Sequence, residues 1–340
     1  MTNPCAPITI GIPAYNRSSE LLLLIKSIIA TDPPPSELLI IEDKSPEREL
    51  IKKTVQCLRP DLLDKNIKVV YIENVENLGY DKNIKKIISL ANQPWLMLIG
   101  NDDLILPNCF RDVMVSVNQC PNIKFFSRSF YRFSDNPFRR LGVSKLSQCD
   151  KTFKPNEWSS GIIFRSSGFV GGLVFDVNWA KGLETGKYDG ALFYQVYLAS
   201  NAFCQGGIGY ISAPIVEARV DNVPLFGASK NEAKIHTPGQ YSARSRAHMW
   251  AGVLQIADDV GGAYRIDLVS GIKRELINRQ SFHVFEMFSK QPKPAQVSLK
   301  EHFKAIGVFN YLIPTFLYTI NRLFGKNAYW FYWAVRKVFQ

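Results

Sequence analysis

WLMLIGNDDLILP, residues 95–107, is the stretch from which the rest of the chain is read. An apolar run ends abruptly in Gly100-Asn101-Asp102-Asp103, and Pro107 follows four residues after the second Asp. The run has the length of a buried strand, and it ends in carboxylates. Ionised groups are costly to hold at a buried edge without a partner. Hard cations and sugar hydroxyls are two partners that seek oxygen ligands. Helix capping is a simpler role for the same two Asp residues.

The segments upstream repeat the pattern. ITIGIP (8–13) is an apolar run stopped by Pro13, and SSELLLLIKSIIA (18–30) has helical spacing with Ser18 or Ser19 as cap. LLIIED (38–43) again ends in carboxylates and is followed by the helical ERELIKKTVQCL (47–58). KVVYIE (68–73), YDKNIKKIISLAN (80–92), PWLMLIG (94–100) and CFRDVMVSVNQ (109–119) continue the alternation of strand and helix. Such alternation predicts an α/β protein with a mostly parallel sheet flanked by helices. Ligands of such sheets sit beyond the carboxyl ends of the strands. Tyr15-Asn16-Arg17, Glu42-Asp43 and Asn101-Asp102-Asp103 all fall at such ends. Two acidic clusters on neighbouring strand ends make one negative mouth, suited to a cation or to ribose and nucleobase donors.

Further along, FFSRSFYRF (125–133) and GIIFR (161–165) read as strands, and FVGGLVFDV (169–177) as a strand entering a helix. YDGALFYQVYLAS (188–200) reads as a helix and GIGYISAPIVEARV (207–220) as a strand pair. Residues 221–245, rich in Asn, Gly, Ser and Pro, read as a mobile loop, and 248–260 and 265–288 as helices. The predicted organisation is a first half at 1–120, a second half extending the sheet at 121–245, and a helical C-terminal region at 246–340.

The 340 residues are 46% hydrophobic, which gives room for a large core. Six cysteines (Cys5, Cys57, Cys109, Cys120, Cys149, Cys204) lack CxxC spacing and read as reduced thiols of a cytoplasmic protein. The start, MTNPCAPITIGIP, has no basic region before an apolar core and does not read as a signal peptide. The four histidines (His236, His248, His283, His302) lack ligand spacing, which argues against zinc. No GxGxxG follows the first strand and no GxxxxGK[ST] occurs, so dinucleotide oxidoreductases and P-loop NTPases fit poorly.

The net charge is +11, and it is concentrated at one end. From Arg265 onward there are 12 Lys/Arg against 4 Asp/Glu; the first 264 residues carry 29 against 26. This excess lies among apolar and aromatic runs, and no nucleic-acid-binding motif accompanies it. AIGVFNYLIPTFLYTI (305–320) is uncharged but interrupted by Asn310 and Pro314. At 16 residues it falls short of the roughly 20 needed to span a bilayer. NAYWFYWAVRKVF (327–339) sets aromatic rings beside Arg336 and Lys337, as an interfacial anchor does. The expectation is peripheral contact with an anionic membrane on its inner face.

IGIPAYNR (10–17), LLIIEDKS (38–45), ENLGYDKN (76–83) and LIGNDDLILP (98–107), in this order, resemble the nucleotide-binding half of family 2 glycosyltransferases, which have the GT-A fold. The likeness covers roughly residues 8–120. Gly before the acidic run resembles the abequosyltransferase-like branch that acts on bacterial surface polysaccharides.

The resemblance implies a nucleoside-diphosphate sugar donor, a lipid-linked or saccharide acceptor, and Mn²⁺ or Mg²⁺ as cofactor. It implies that Pro13, Ala14, Tyr15 and Arg17 line a nucleobase pocket. Asp43 would contact the base, with Glu42 at the preceding acidic position and Lys82 near the nucleotide. Asn101 and Asp102 would meet ribose and metal, with Asp102 the metal ligand and Asp103 a further acid beside it. Gly100 stands at the first acidic position of the family's DxD motif, which leaves the site one acid short.

Family members carry Glu-Asp on a helix of the second half; residues 188–200 lack that pair, so Asp189 is the expected general base and Glu184 a second choice. An exposed carboxylate at a helix N-terminus is the other reading of Asp189. Arg219, in ARVDNVP (218–224), would reach the diphosphate. The missing acids also fit an inactive member that only binds within a polysaccharide assembly complex.

Overall fold

The computed structural model describes residues 4–136, 139–328, 330–332 and 334. Arg336 and Lys337 lie outside the described residues.

The strands are β1 (Ala6–Ala14), β2 (Pro35–Glu42), β3 (Lys68–Glu73), β4 (Trp95–Leu98), β5 (Leu104–Ile105), β6 (Phe125–Phe133), β7 (Arg140–Ser144), β8 (Lys151–Phe153), β9 (Leu173–Asp176) and β10 (Ile208–Arg219). They form one sheet in the order β3-β2-β1-β4-β9-β6-β10-β5, with β7 on β6 and β8 on β10. β3, β2, β1 and β4 run parallel, β9 enters antiparallel between β4 and β6, and β6 and β10 are parallel. The sheet therefore continues across the segments before and after residue 120.

The helices of the first part are α1 (Ser18–Ile29), α2 (Arg48–Asp64), α3 (Tyr80–Leu90) and α4 (Cys109–Gln119). Then come α5 (Gly161–Ser167), α6 (Val177–Gly182), α7 (Tyr194–Gln205), α8 (Ala243–Tyr264) and α9 (Val269–Glu275). A five-residue π-helix, Leu276–Gln280, leads into α10 (Ser281–Ser289), α11 (Lys293–Ala305) and α12 (Leu312–Phe324).

Strand periodicity assigns the two faces. Leu38 and Ile40 of β2 join a core with Leu21, Leu24, Ile25 and Ile28 of α1. Leu39 and Ile41 point the other way, into a core with Ile84 and Ile87 of α3. Both faces are covered, so β2 is apolar throughout instead of alternating. At Gly11 a Cβ would meet Ile87 Cγ2 at 2.4 Å, so α3 lies directly on β1. α1 starts without a side-chain cap from its own first residues; Glu47 accepts from Ser18 N (2.9 Å) and Oγ (2.7 Å) instead.

Three sequence readings are corrected. Residues 161–165 are not a strand but the start of α5, buried with Ile162 and Ile163; a short apolar run has no period to separate the two states. Residues 207–220 are not a strand pair but the single strand β10, whose register shifts on either side of Pro214. The proline makes an irregularity within one continuous strand. The helix expected from residue 188 starts at Tyr194. The preceding turn is held by Asp81, whose carboxylate accepts from the backbone of Gly190, Leu192 and Tyr194 at 2.9–3.1 Å.

The uncharged run 305–320 breaks at a short 3-10 turn, Val308–Asn310, before α12. Among the described residues no helix is long and apolar enough to cross a membrane.

Candidate functional site

The chain reverses after β1 through Asn16 and Arg17, both left-handed at φ 53° and 61°. Neither is glycine, so the turn carries strain that surrounding contacts must hold. Asn101 supplies one of these, donating from Nδ2 to the Asn16 carbonyl at 2.8 Å. The turn directs Arg17 across the strand ends, where Nη1 meets Asp102 Oδ2 at 2.7 Å and Nη2 donates to the Val223 carbonyl. Asn222 Nδ2 donates to the same Asp102 oxygen at 2.7 Å.

These groups wall a cavity of about 290 Å³ beyond the ends of β1, β2 and β4. Of the residues expected from sequence, Pro13, Tyr15, Arg17, Asp43, Asn101, Asp102 and Arg219 line it. Asp43 is nearly buried and accepts from Asn74 Nδ2 (2.7 Å), Leu78 N (2.8 Å) and Gly79 N (2.9 Å). Burial raises its pKa against these donors. Burial, with the nearby charges of Asp43, Glu42 and Glu232, also raises the Tyr15 phenol. Arg219 shares its guanidinium with Asp221 (3.0 Å) and Glu20 (3.5 Å).

Five expected residues stand elsewhere. Ala14 is buried behind the wall, where its carbonyl accepts from Asp43 N. Glu42 is fully buried and turns away; it accepts from the backbone of Lys44 and Ser45 and from Arg48 Nε, closing the turn that starts α2. Lys82 is on α3, which lines the cavity through Tyr80 and Asn83 instead. Asp103 is buried behind Asp102 and accepts from Arg219 N at 3.1 Å; burial, reinforced by the Asp102 charge, pushes its carboxyl well above the usual range. Asp189 is not among the lining residues; it pairs with Lys85 at 2.7 Å, beside Glu184 at 3.7 Å from the same ammonium.

The missing first acid has a steric counterpart. A Cβ at Gly100 would come within 3.0 Å of Asp102 Oδ1 and 3.1 Å of Asp103 Oδ2. A carboxylate there would add charge as well as bulk against two existing acids.

The segment 221–245, expected to be mobile, forms much of the opposite wall, including Asn222, Phe226, Glu232 and Tyr241. Glu232 is its anchor. One oxygen accepts from Tyr80 N at 2.7 Å, at the start of α3, and the other from Gly227 N at 2.8 Å. The approach is so close that a Cβ on Gly79 (φ 83°) would lie 2.6 Å from Glu232 Oε1. Sequence reading missed Glu232, Tyr80 and Asn222. ENLGYDKN placed Tyr80 within a noted motif, but nothing local marks Glu232.

A second cavity of about 450 Å³ adjoins the first; Tyr80, Val170, Phe226 and Tyr241 line both. Its walls include Phe169, Phe193, Gln195 and Arg246. Tyr80 Oη donates to Gln195 Oε1 at 3.2 Å, spanning the join.

Hard cations of the magnesium type use one or two carboxylates with substrate phosphates and water. Asp102 supplies one carboxylate at the wall, and among the described residues no cluster of three acid, His or Cys side chains forms a closed cage. Asp102 Oδ2 is engaged by Arg17 and Asn222, so Oδ1 is the oxygen that would take part in holding a cation together with a diphosphate.

A mixed sheet whose β3-β2-β1-β4 part is parallel, with an acid-and-arginine cavity beyond the ends of those strands, defines a GT-A-type fold. Residues 9–177 match the family model for glycosyl transferase family 2, and the chain belongs to the family 2 glycosyltransferases. It is 24% identical over 226 residues to the abequosyltransferase RfbV of Salmonella typhimurium, covering 63% of this chain and 67% of that one. It is 25% identical over 118 residues to an uncharacterized glycosyltransferase of Haemophilus influenzae, covering 35% of this chain and 37% of that protein. Among solved structures, S. aureus TarS 1–349 in complex with UDP superposes with a TM-score of 0.60 at 15% identity, over 94% of this chain and 88% of that one. The complex of the same protein with UDP-GlcNAc gives 0.60 at 14%. At this identity the structural likeness concerns the fold.

Proposed function

We propose that the chain transfers a sugar from a nucleoside-diphosphate sugar to a lipid-linked or saccharide acceptor in bacterial surface polysaccharide synthesis. The observation that carries this reading is the meeting of Arg17, Asp102 and Asn222 at the β4 end, in a cavity that opens onto a second one at Tyr80. The first cavity takes the donor. Tyr15 and Asp43 flank the nucleobase, and Arg17 and Arg219 face the diphosphate, whose oxygens suit guanidinium groups. The second cavity takes the acceptor.

A divalent cation, Mn²⁺ or Mg²⁺, is proposed at Asp102. When bound it offsets charge on the departing nucleoside diphosphate. Arg17 holds Asp102 oriented toward the cavity, and Asn222 ties the loop wall to the same oxygen. The likeness to the abequosyltransferase RfbV supports the polysaccharide setting.

Peripheral membrane contact is part of the proposal. Leu312, Phe316 and Leu323 fall on one stripe of α12, opposite its buried Leu317 and Asn321. Leu312 is 89% and Leu323 71% exposed. Such a stripe beside basic residues suits an anionic lipid surface.

The deciding experiment is a thermal-shift screen of UDP-, CDP-, GDP- and dTDP-sugars, with and without Mn²⁺. A bound donor raises the midpoint by mass action. No shift with any nucleotide sinks the donor assignment.

A further inference from the structure

A third cavity, of about 330 Å³, lies where α5, α9 and the π-helix meet. Arg165, Arg274 and Arg279 line it, with one carboxylate, Glu275. Glu275 meets Arg165 and Arg279 only at 4.0 and 3.9 Å, the outer limit of an ion pair. Three guanidinium groups around one loosely paired acid leave a net positive hollow that attracts an anion. Guanidinium forks match phosphate oxygens.

The position of this hollow narrows the choice of anion. Arg165 also lines the second cavity, which shares Tyr80 with the donor cavity, so the three spaces follow one another. The π-helix makes the junction: Asn278 and Arg279 line the third cavity and Gln280 the second. Single π turns of this kind recur at functional sites. The hollow is also lined by Ile313, on α12, the helix whose exposed stripe carries Leu312 and Phe316. Donor, acceptor space, cationic hollow and apolar helix thus lie in sequence.

We propose that this hollow binds the phosphate or diphosphate of a lipid-linked acceptor, with the lipid chain leaving past Ile313 over α12. The assignment rests on the transferase reading and names the acceptor class for it. A saccharide attached to that phosphate reaches the second cavity, while the chain stays with the membrane.

Binding of farnesyl diphosphate and of inorganic pyrophosphate to the full chain is measured by calorimetry in excess UDP. Farnesyl diphosphate is expected to bind at least ten-fold more tightly than pyrophosphate. Arg165→Gln, Arg274→Gln and Arg279→Gln should each weaken it ten-fold or more, and Arg219→Gln, in the donor cavity, should leave it within two-fold. Arg274 is exposed, so its replacement tests the site without burdening the fold. Equal affinity for the two probes overturns the lipid-linked assignment. Unchanged affinity in the three cavity variants, or loss in Arg219→Gln instead, overturns the site. Nucleotide binding is read separately by thermal shift; its absence beside intact farnesyl diphosphate binding would count against the donor reading alone.

Discussion

Arg17 and Asp102 are 85 positions apart in sequence, and a 2.7 Å ion pair joins them in the wall of the first cavity. The same Asp102 oxygen holds Asn222, so one carboxylate links the β1 turn, the β4 end and the loop wall. Asp102→Ala is expected to lower kcat by roughly 100-fold or more, the scale of one lost electrostatic contact to a transition state. The fold should lose only about 1–2 kcal/mol, between exposed and buried ion-pair values. Steady-state kinetics and urea unfolding measure the two. Gly100→Asp should fail to raise activity, because the new side chain meets both existing acids.

The Glu232 anchor predicts a loop variant. Glu232→Gln replaces one carboxylate oxygen by an NH₂ facing a backbone N–H, either Tyr80 or Gly227. A donor left unpaired in a buried position costs about 1–3 kcal/mol. KM for the donor should rise several-fold while the circular dichroism spectrum is kept. Gly79→Ala should act in the same direction through the 2.6 Å approach to Glu232 and its positive φ. Faster proteolysis within residues 221–245 would report the released loop in both.

Asp81 organises the turn before α7 by accepting three backbone N–H groups. Burial pushes its pKa up to about 7 despite those donors. Asp81→Asn keeps the shape but loses an acceptor and sets a donor against donors. A loss of about 2–3 kcal/mol in chemical denaturation is expected, the scale of a buried group stripped of a charge-assisted bond.

His236 gives a pH dependence. Its Nε2 faces the Gly190 carbonyl at 3.1 Å, so Nε2 carries the proton and Nδ1 accepts from Ser245 Oγ at 2.7 Å. Burial lowers its pKa from 6.5, and burial lowers neighbouring His248 as well. The unfolded chain therefore binds the proton more readily than the folded one. This contribution to stability is complete above about pH 6.5 and is lost as pH falls below it. Asp81 acts in the opposite sense over the same range, because its raised pKa favours the protonated folded state as pH falls below about 7. The His236 contribution is therefore read as a difference: relative to His236→Gln, the wild-type thermal midpoint should fall as pH drops below 6.5.

The α12 stripe predicts vesicle binding. Leu312→Ser, Phe316→Ser and Leu323→Ser together remove side chains worth roughly 1.5–3 kcal/mol each when fully buried in apolar surroundings. Flotation with anionic vesicles should fall at least ten-fold, with donor binding unchanged. A wild-type chain that leaves such vesicles bare would remove the membrane part of the proposal.

The sheet, the helices of the first half and the strand-end acids were legible because each rests on local pattern. Apolar runs stopped by Pro13, Asp43 and Gly100 marked strands and their exposed ends, and helical spacing marked what lay between. Local pattern failed where the deciding contact is distant. Residues 161–165 are apolar enough for either state, and burial beneath α9 makes them helix. Residues 207–220 read as a strand pair until the partner strand β6 shows one strand running through Pro214 with a shifted register.

Site residues divide on the same line. Sequence by itself determined which acids and arginines stand at strand ends, because chain direction and apolar length fix those positions. Tertiary structure alone decided which way each side chain faces: Glu42 turns back to close α2, Asp103 sinks behind Asp102, and Asp189 pairs with Lys85. It also brought Glu232 onto Tyr80 from 152 positions away. No local pattern encodes that contact, since the buried N–H at the start of α3 sets only the need for an acceptor, and the fold chooses which one arrives.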